Sequence, residues 1–345
     1  MGRNLTMLNI SNAFRAASAL LLMTCVMACD NAATVEIDNS WYDIKLPPDQ
    51  AQPKVDSYAS LQVPPRPAEN PASITLSLWL KPLFVDRPEP SPNRREHTAL
   101  AAPITNGLGL NNLAPSLPTT AAKLSLVSAK QRDGFTEAQV VLTSQPLGSW
   151  TGRLLLPDSL TTQAPAILAL HGHEQDSKAF TSDFELGELA KAGMVVLAPD
   201  FRAMGCDKTE NNATTALYEK GLTLMGAHVY ETQAMLNYLA TRSLVNKSKI
   251  GIYSHNAGSV VGHLAARVGQ HATVFVGDFQ SKFDNQTCGP RHIHCETVPP
   301  LLEHAIDINH LASLPMPHLL VEKGLDTDEG RAAGVAFLKG QLLSE

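Results

Sequence analysis

The sequence predicts an α/β fold: a doubly wound, mostly parallel sheet with helices on both faces, preceded by a proline-rich tether. Three observations predict it. Short apolar runs alternate with helical segments over the last two thirds of the chain, as expected when buried parallel strands are joined by crossover helices. Helix start and stop signals fall between those runs. Fourteen of the 23 prolines lie between Pro47 and Pro118, so the first third differs in kind from the rest. In order, Lys123–Ser128, Glu137–Thr143 and Trp150–Leu156 read as strands, the last two joined by a turn holding Pro146 and Gly148. Ala166–Leu170, Met194–Ala198, Lys249–Tyr253, Thr273–Val276 and Leu319–Glu322 read as buried parallel strands. Ser182 and Glu185 form a capping-box pattern and Gly193 a stop, predicting one helix over Ser182–Ala192. Ala227–Arg242, Ala257–Val268 and Arg331–Leu343 complete the predicted helices.

The 345 residues carry 27 basic and 33 acidic side chains, a formal charge of −6, and no Lys/Arg run longer than a pair. Nucleic acid is excluded as a partner, because phosphate binding needs a concentrated basic surface. Residues 1–28 carry Arg3, Arg15, no acid, and an apolar run from Ala16 to Ala28, the layout of a secretory signal too short to span a bilayer. Val26-Met27-Ala28-Cys29 resembles the bacterial lipoprotein signal, in which the cysteine is lipidated and becomes the new N-terminus. The other reading is an ordinary signal peptide cut near Ala28 or Ala32. Lipidation at Cys29 would place the protein in the bacterial cell envelope on the periplasmic side; in enterobacteria Asp30 would resemble an inner-membrane retention signal. Residues 29–120 read as a largely irregular tether, except for Ile74–Leu80, whose alternation fits a docked strand. Residues 121–345 form the folded domain, with a cap segment over about 278–314.

Several motifs carry a resemblance over roughly Gly134 to the C-terminus. They are Pro165-Ala-Ile-Leu-Ala-Leu-His-Gly-His173, Val196-Leu-Ala-Pro-Asp-Phe-Arg202, Gly221-Leu-Thr-Leu-Met-Gly226, and Lys249-Ile-Gly-Ile-Tyr253 running into Ser254-His255-Asn256-Ala257-Gly258. Their order and spacing resemble the α/β-hydrolase fold, and more narrowly its dienelactone hydrolase and acetyl xylan esterase-like carboxylesterases. The resemblance implies an oxyanion hole from the backbone of His171-Gly172-His173 with the Ala257 amide, a nucleophile at position 256, and an acid at Asp326 or, as second candidate, Asp328.

The chemistry departs from that pattern. The nucleophile motif G-x-S-x-G reads Ser254-His255-Asn256-Ala257-Gly258, and no other copy occurs in the chain. An asparagine carboxamide is no nucleophile, because its nitrogen lone pair is delocalised, although asparagine suits the positive φ of the turn. No histidine follows Asp326. Three rescues are open: Ser254 as a displaced nucleophile, Asn256 deamidated to aspartate, or a base borrowed from His255, His292, His294, His304 or His310. Ser254, two residues upstream on a strand, is expected to pack below the turn.

Cys288 and Cys295 bracket His292 and His294; a disulfide fits an oxidising compartment better than a zinc site, so no metal and no cofactor are predicted. Cys206 is left over. The preferred expectation is an exported, non-catalytic protein that binds a small molecule, a glycan or a protein partner. The alternative is a carboxylesterase acting on small or acetylated esters through a non-standard site. A structural envelope role is the third.

Overall fold

The computed structural model describes residues 41–42, 44–45, 55–58, 104–112, 121–205, 207–269, 271–278, 319–321 and 324–344. All of them belong to the second of two units, Asn39–Glu345. The predicted signal, Cys29, the strand over Ile74–Leu80, Cys206, Cys288, Cys295 and the cap segment beyond Asp278 lie outside the described residues.

The elements are β1 (Ile44–Lys45), β2 (Lys123–Arg132), β3 (Phe135–Ser144), β4 (Gly148–Pro157), β5 (Ala164–Leu170), α1 (Ser177–Asp183), α2 (Leu186–Lys191), β6 (Val195–Pro199) and α3 (Lys208–Tyr218). Then come α4 (Leu224–Thr241), β7 (Val245–Ser254), α5 (Ala257–Val268), β8 (Val274–Gly277), β9 (Leu319–Val321) and α6 (Asp328–Leu342). They build one sheet of order β1-β2-β3-β4-β6-β5-β7-β8-β9. Strands β6, β5, β7, β8 and β9 run parallel, and β2, β3 and β4 extend the sheet antiparallel from β6. Each predicted strand of residues 121–345 is present. The central stretches of the parallel strands are apolar because helices cover both faces, and Ile167, Val196, Ile252 and Phe275 are fully buried, whereas β7 begins with the polar run Asn246–Lys249 before it enters the core.

The helix expected over Ser182–Ala192 is instead two helices. Asp176 caps α1 by accepting the Ala179 amide at 2.6 Å, and Glu185 at φ 53° turns the chain before α2. The turn has a packing cause. Phe180 and Phe184 lie on one helical face with ring centroids 4.3 Å apart, whereas Leu186 lies about 200° further round; only a break lets all three enter the same core. Helix α3 was not expected, because its buried stripe includes Glu210 and Thr214 and hides the apolar period.

Helix α4 is buried on every side from Leu224 to Leu239. Part of its cover comes from the range expected to be irregular. Trp41, Tyr42, Tyr58, Ile104, Leu108 and Leu110 are buried, the Tyr238 hydroxyl donates to the Trp41 carbonyl, and the Thr223 hydroxyl donates to the Leu108 carbonyl at 3.0 Å. Gly226 permits this approach, since a side chain there would run into the Leu108 carbonyl. Proline content reports a stiff backbone, not whether isolated aromatics along it find a surface. Among the described residues no helix is long and apolar enough to cross a membrane.

Candidate functional site

The chain leaves β5 for β6 on one side of it, and leaves the adjacent β7 for β8 on the opposite side. In open α/β sheets ligands bind at such a switch, in the crevice region beyond the carboxyl ends of the strands. The turn from β7 into α5 and the loop after β5 both end there.

Asn256 occupies the tip of the first turn with φ 51° and ψ −124°, and its side chain makes no cap hydrogen bond to α5. Two glycines allow the turn. A side chain at Gly258 would meet the Leu170 carbonyl at 2.5 Å, and one at Gly172 would meet the Asn256 Cβ at 2.7 Å. Ala257 is the first residue of α5, where a backbone amide has no intrahelical acceptor.

Ser254 is fully buried, and its hydroxyl donates to the Val276 carbonyl at 3.0 Å. It lies beneath the turn as a packing residue and is unavailable as a displaced nucleophile. Ser259 is equally buried.

An acid that sequence reasoning did not single out stands beside the turn. The Asp278 carboxylate, one residue beyond β8, accepts the Asn256 amide at 2.6 Å and the Ser259 hydroxyl at 3.2 Å, and lies 3.4 Å from His255 Nε2. Its place just past the carboxyl end of a parallel strand was the available signal. His255 Nδ1 faces Gln175 Oε1 at 3.3 Å, and that same oxygen accepts the Gly172 amide at 3.2 Å. Both imidazole nitrogens therefore face acceptors. Burial against Phe184 lowers the His255 pKa, Asp278 and Asp326 oppose that shift, and Arg331 adds to it.

The His171-Gly172-His173 turn divides its roles. His171 is buried; Nδ1 donates to the Gly172 carbonyl at 2.7 Å and Nε2 accepts the Phe201 amide at 2.9 Å, which defines the tautomer. Burial lowers its pKa, in keeping with a neutral ring. His173 turns away toward α3, with Nε2 3.6 Å from the buried Glu210. Asp326 is exposed and makes no hydrogen bond to His255; its backbone carbonyl accepts Arg331 Nη1 at 2.8 Å. Asp328 is exposed in the first turn of α6 and pairs with Arg331. The structure thus gathers Asn256, Gly172 and His255 with Asp278 and Gln175, leaves Asp326 exposed but within electrostatic reach of His255, and pairs Asp328 with Arg331. His292, His294, His304 and His310 lie outside the described residues. Among the described residues no three His, Cys, Asp or Glu side chains cluster so as to hold a metal ion.

No family model matches the sequence, and no curated protein matches it. Solved structures do. A Bacteroides fragilis protein provisionally assigned as an acetyl xylan esterase is 15% identical, with 79% of this chain and 81% of that chain covered and a TM-score of 0.54. Acetyl xylan esterase 1 from Thermoanaerobacterium sp. is 14% identical over 76% of this chain and 88% of that one, with a TM-score of 0.45. The acetyl xylan esterase from Paenibacillus sp. is 19% identical over 58% and 63%, with a TM-score of 0.39. At such identities the likeness speaks to architecture and not to activity, and the first match carries it. Strand order, the strand-turn-helix at Asn256 and this likeness agree: the chain has an α/β-hydrolase fold, built in the manner of acetyl xylan esterase-like proteins.

Proposed function

We propose that this protein is an exported, lipid-anchored α/β-hydrolase-fold protein that binds a ligand or a partner at the Asn256 crevice without serine-hydrolase chemistry. The observation that carries the reading is the elbow itself. A carboxamide stands at its tip, and the hydroxyls of Ser254 and Ser259 are buried, the first donating to the Val276 carbonyl and the second to the Asp278 carboxylate. With no nucleophile to activate, the remaining fittings of the turn are those of recognition: the Asn256 carboxamide offers donors and an acceptor, and the Ala257 amide a donor. Anchoring through Cys29 rests on Arg3, Arg15 and the apolar run before that cysteine.

A second reading, a carboxylesterase acting on small or acetylated esters through a non-standard site, is favoured by the fold and by the His255 and Asp278 pair beside the turn. The two part on one measurement. The protein from Ala32 onward is assayed on short acyl esters beside Asn256→Ala and Asn256→Ser. Background hydrolysis by all three, with ligand-induced stabilisation of the native protein that Asn256→Ala weakens, is the expected result. Turnover by the native protein that Asn256→Ala abolishes would establish the esterase reading instead. Palmitate labelling of the full chain, lost in Cys29→Ser, tests the anchor separately.

A further inference from the structure

Residues 55–58 are held on the body as a bound peptide would be. The Asp56 amide donates to the Ser149 carbonyl at 3.0 Å, and the Asp56 carboxylate accepts the Ser149 amide at 3.0 Å. The Asp56 carbonyl accepts Arg202 Nη1 at 2.6 Å, and the Tyr58 hydroxyl donates to Glu231 Oε1 at 2.8 Å. The Tyr58 ring lies 4.1 Å from the Arg202 guanidinium, the distance of a cation–π contact. Gly148 leaves the space, because a side chain there would meet the Asp56 carboxylate at 2.7 Å. Arg202 also donates to the Leu147 carbonyl at 2.9 Å and pairs with Glu231. Both of those side chains are buried, 6% and 0% exposed, so the grip is made away from water, where such contacts are strongest.

Arg202 is at the same time one step from the crevice. The amide of its neighbour Phe201 donates to His171 Nε2, His171 Nδ1 donates to the Gly172 carbonyl, and Gly172 lies against the Asn256 Cβ. The Phe201 ring packs 5.4 Å from His171 and 4.9 Å from His228, whose Nε2 donates to the Arg202 carbonyl at 2.8 Å. The loop after β6 is therefore held on one side by the arm and carries the crevice turn on the other.

We propose that residues 55–58 are a clasp that positions the His171-Gly172 turn, and through it the wall of the crevice facing Asn256. The arm is then a working part of the site and not only its connection to the N-terminus. The inference rests on the crevice being the functional site, and holds whether that site binds or hydrolyses.

The test is local amide exchange in the protein from Ala32 onward, comparing native with Tyr58→Phe, which keeps the ring over Arg202 and removes the bond to Glu231. Amides of Gly172 and Phe201 are expected to exchange about tenfold faster, the scale of one hydrogen bond lost to a charged group. Those in the β2–β3 hairpin and in α6 should be unchanged. Arg202→Lys, which keeps the charge but loses the fork to two carbonyls, should give the same pattern more strongly. Leu338→Ala in α6 serves as a variant of reduced stability remote from the clasp, and should leave the ratio of crevice to hairpin exchange as in the native protein. A uniform rise across the chain in Tyr58→Phe, or a rise confined to residues 147–149 around the clasp, overturns the proposal. Failure of the esterase or ligand assays leaves this result untouched, so the two are separable.

Discussion

Ser254 and Gly277 stand directly opposite each other in the pairing of β7 with β8, and the hydroxyl of the first fills the space that the second leaves empty. A side chain at Gly277 would meet Ser254 Oγ at 2.7 Å and the Phe275 ring at 2.8 Å. The small residue that an elbow needs beneath its tip is thus provided from the neighbouring strand, and the turn keeps its form although its first glycine is a serine. Gly277→Ala should destabilise by about 1–3 kcal/mol through overpacking. In a Ser254→Gly background the same change should cost less, because one of the two clashing groups has gone. Urea midpoints of the four proteins in the cycle measure the coupling; strict additivity would show that the pair does not share its space.

Backbone strain at the tip makes a second prediction. At φ 51° and ψ −124°, asparagine is tolerated and glycine preferred. Asn256→Gly should be neutral or stabilising by about 0.5–1 kcal/mol, while Asn256→Val, β-branched at positive φ, should destabilise by more than about 1 kcal/mol. If the stabilising variant also loses ligand binding, the strain is being held for the side chain's sake. Thermal unfolding beside the binding assay reads both.

The buried Arg202 and Glu231 pair should behave asymmetrically. Arg202→Met leaves Glu231 in the core without its buried cation, the Tyr58 hydroxyl still donating to it, and is expected to cost about 3–5 kcal/mol. The double change Arg202→Met with Glu231→Leu should recover a good part of that loss, since removing both charges removes the desolvation penalty with the attraction. Equal stability of the single and double variants would mean that the arginine acts through its carbonyl bonds to Asp56 and Leu147 alone.

Acid should weaken the fold before the carboxylates titrate. Burial, the leading cause in each case, lowers the pKa of His171, His228 and His255 below the ordinary 6.5. For His228 the nearby Glu231 opposes burial, and for His255 Asp278 does so without reversing it. The unfolded chain then binds more protons than the native one between the lowered values and 6.5, so stability rises with pH across that window. It is fully present above 6.5 and is lost as pH falls. Each histidine contributes a slope of at most about 1.4 kcal/mol per pH unit. Urea midpoints should therefore fall from pH 7.5 to 5.5, and His255→Gln, at the most accessible of the three, should flatten the slope. A pH-independent midpoint over that range would contradict the assignment.

Much of the fold was legible in the sequence because the signals are local. Apolar runs such as Ala166–Leu170, the glycine stop at Gly193 (φ 95°) and the small residues around Asn256 each state a preference of the chain for itself or its nearest neighbours. The positive φ at Asn256 and the packing role of Ser254 follow from turn stereochemistry and strand alternation alone. The helix break at Glu185 did not, since a capping-box pattern at Ser182 is locally satisfactory and loses only to the shared burial of Phe184 and Leu186.

What the sequence by itself determined is the α/β alternation, the order of its elements, and an asparagine at the tip of the turn between β7 and α5. What only the tertiary structure decided is which distant groups meet there. Asp278 reaches the Asn256 amide because β8 lies beside β7; His173 faces Glu210, which α3 carries; Tyr58 meets Glu231 across 173 residues of chain. Residue pattern encodes period and steric tolerance over a few positions, whereas these contacts depend on strand neighbours and on burial summed over the whole core, which no local pattern contains.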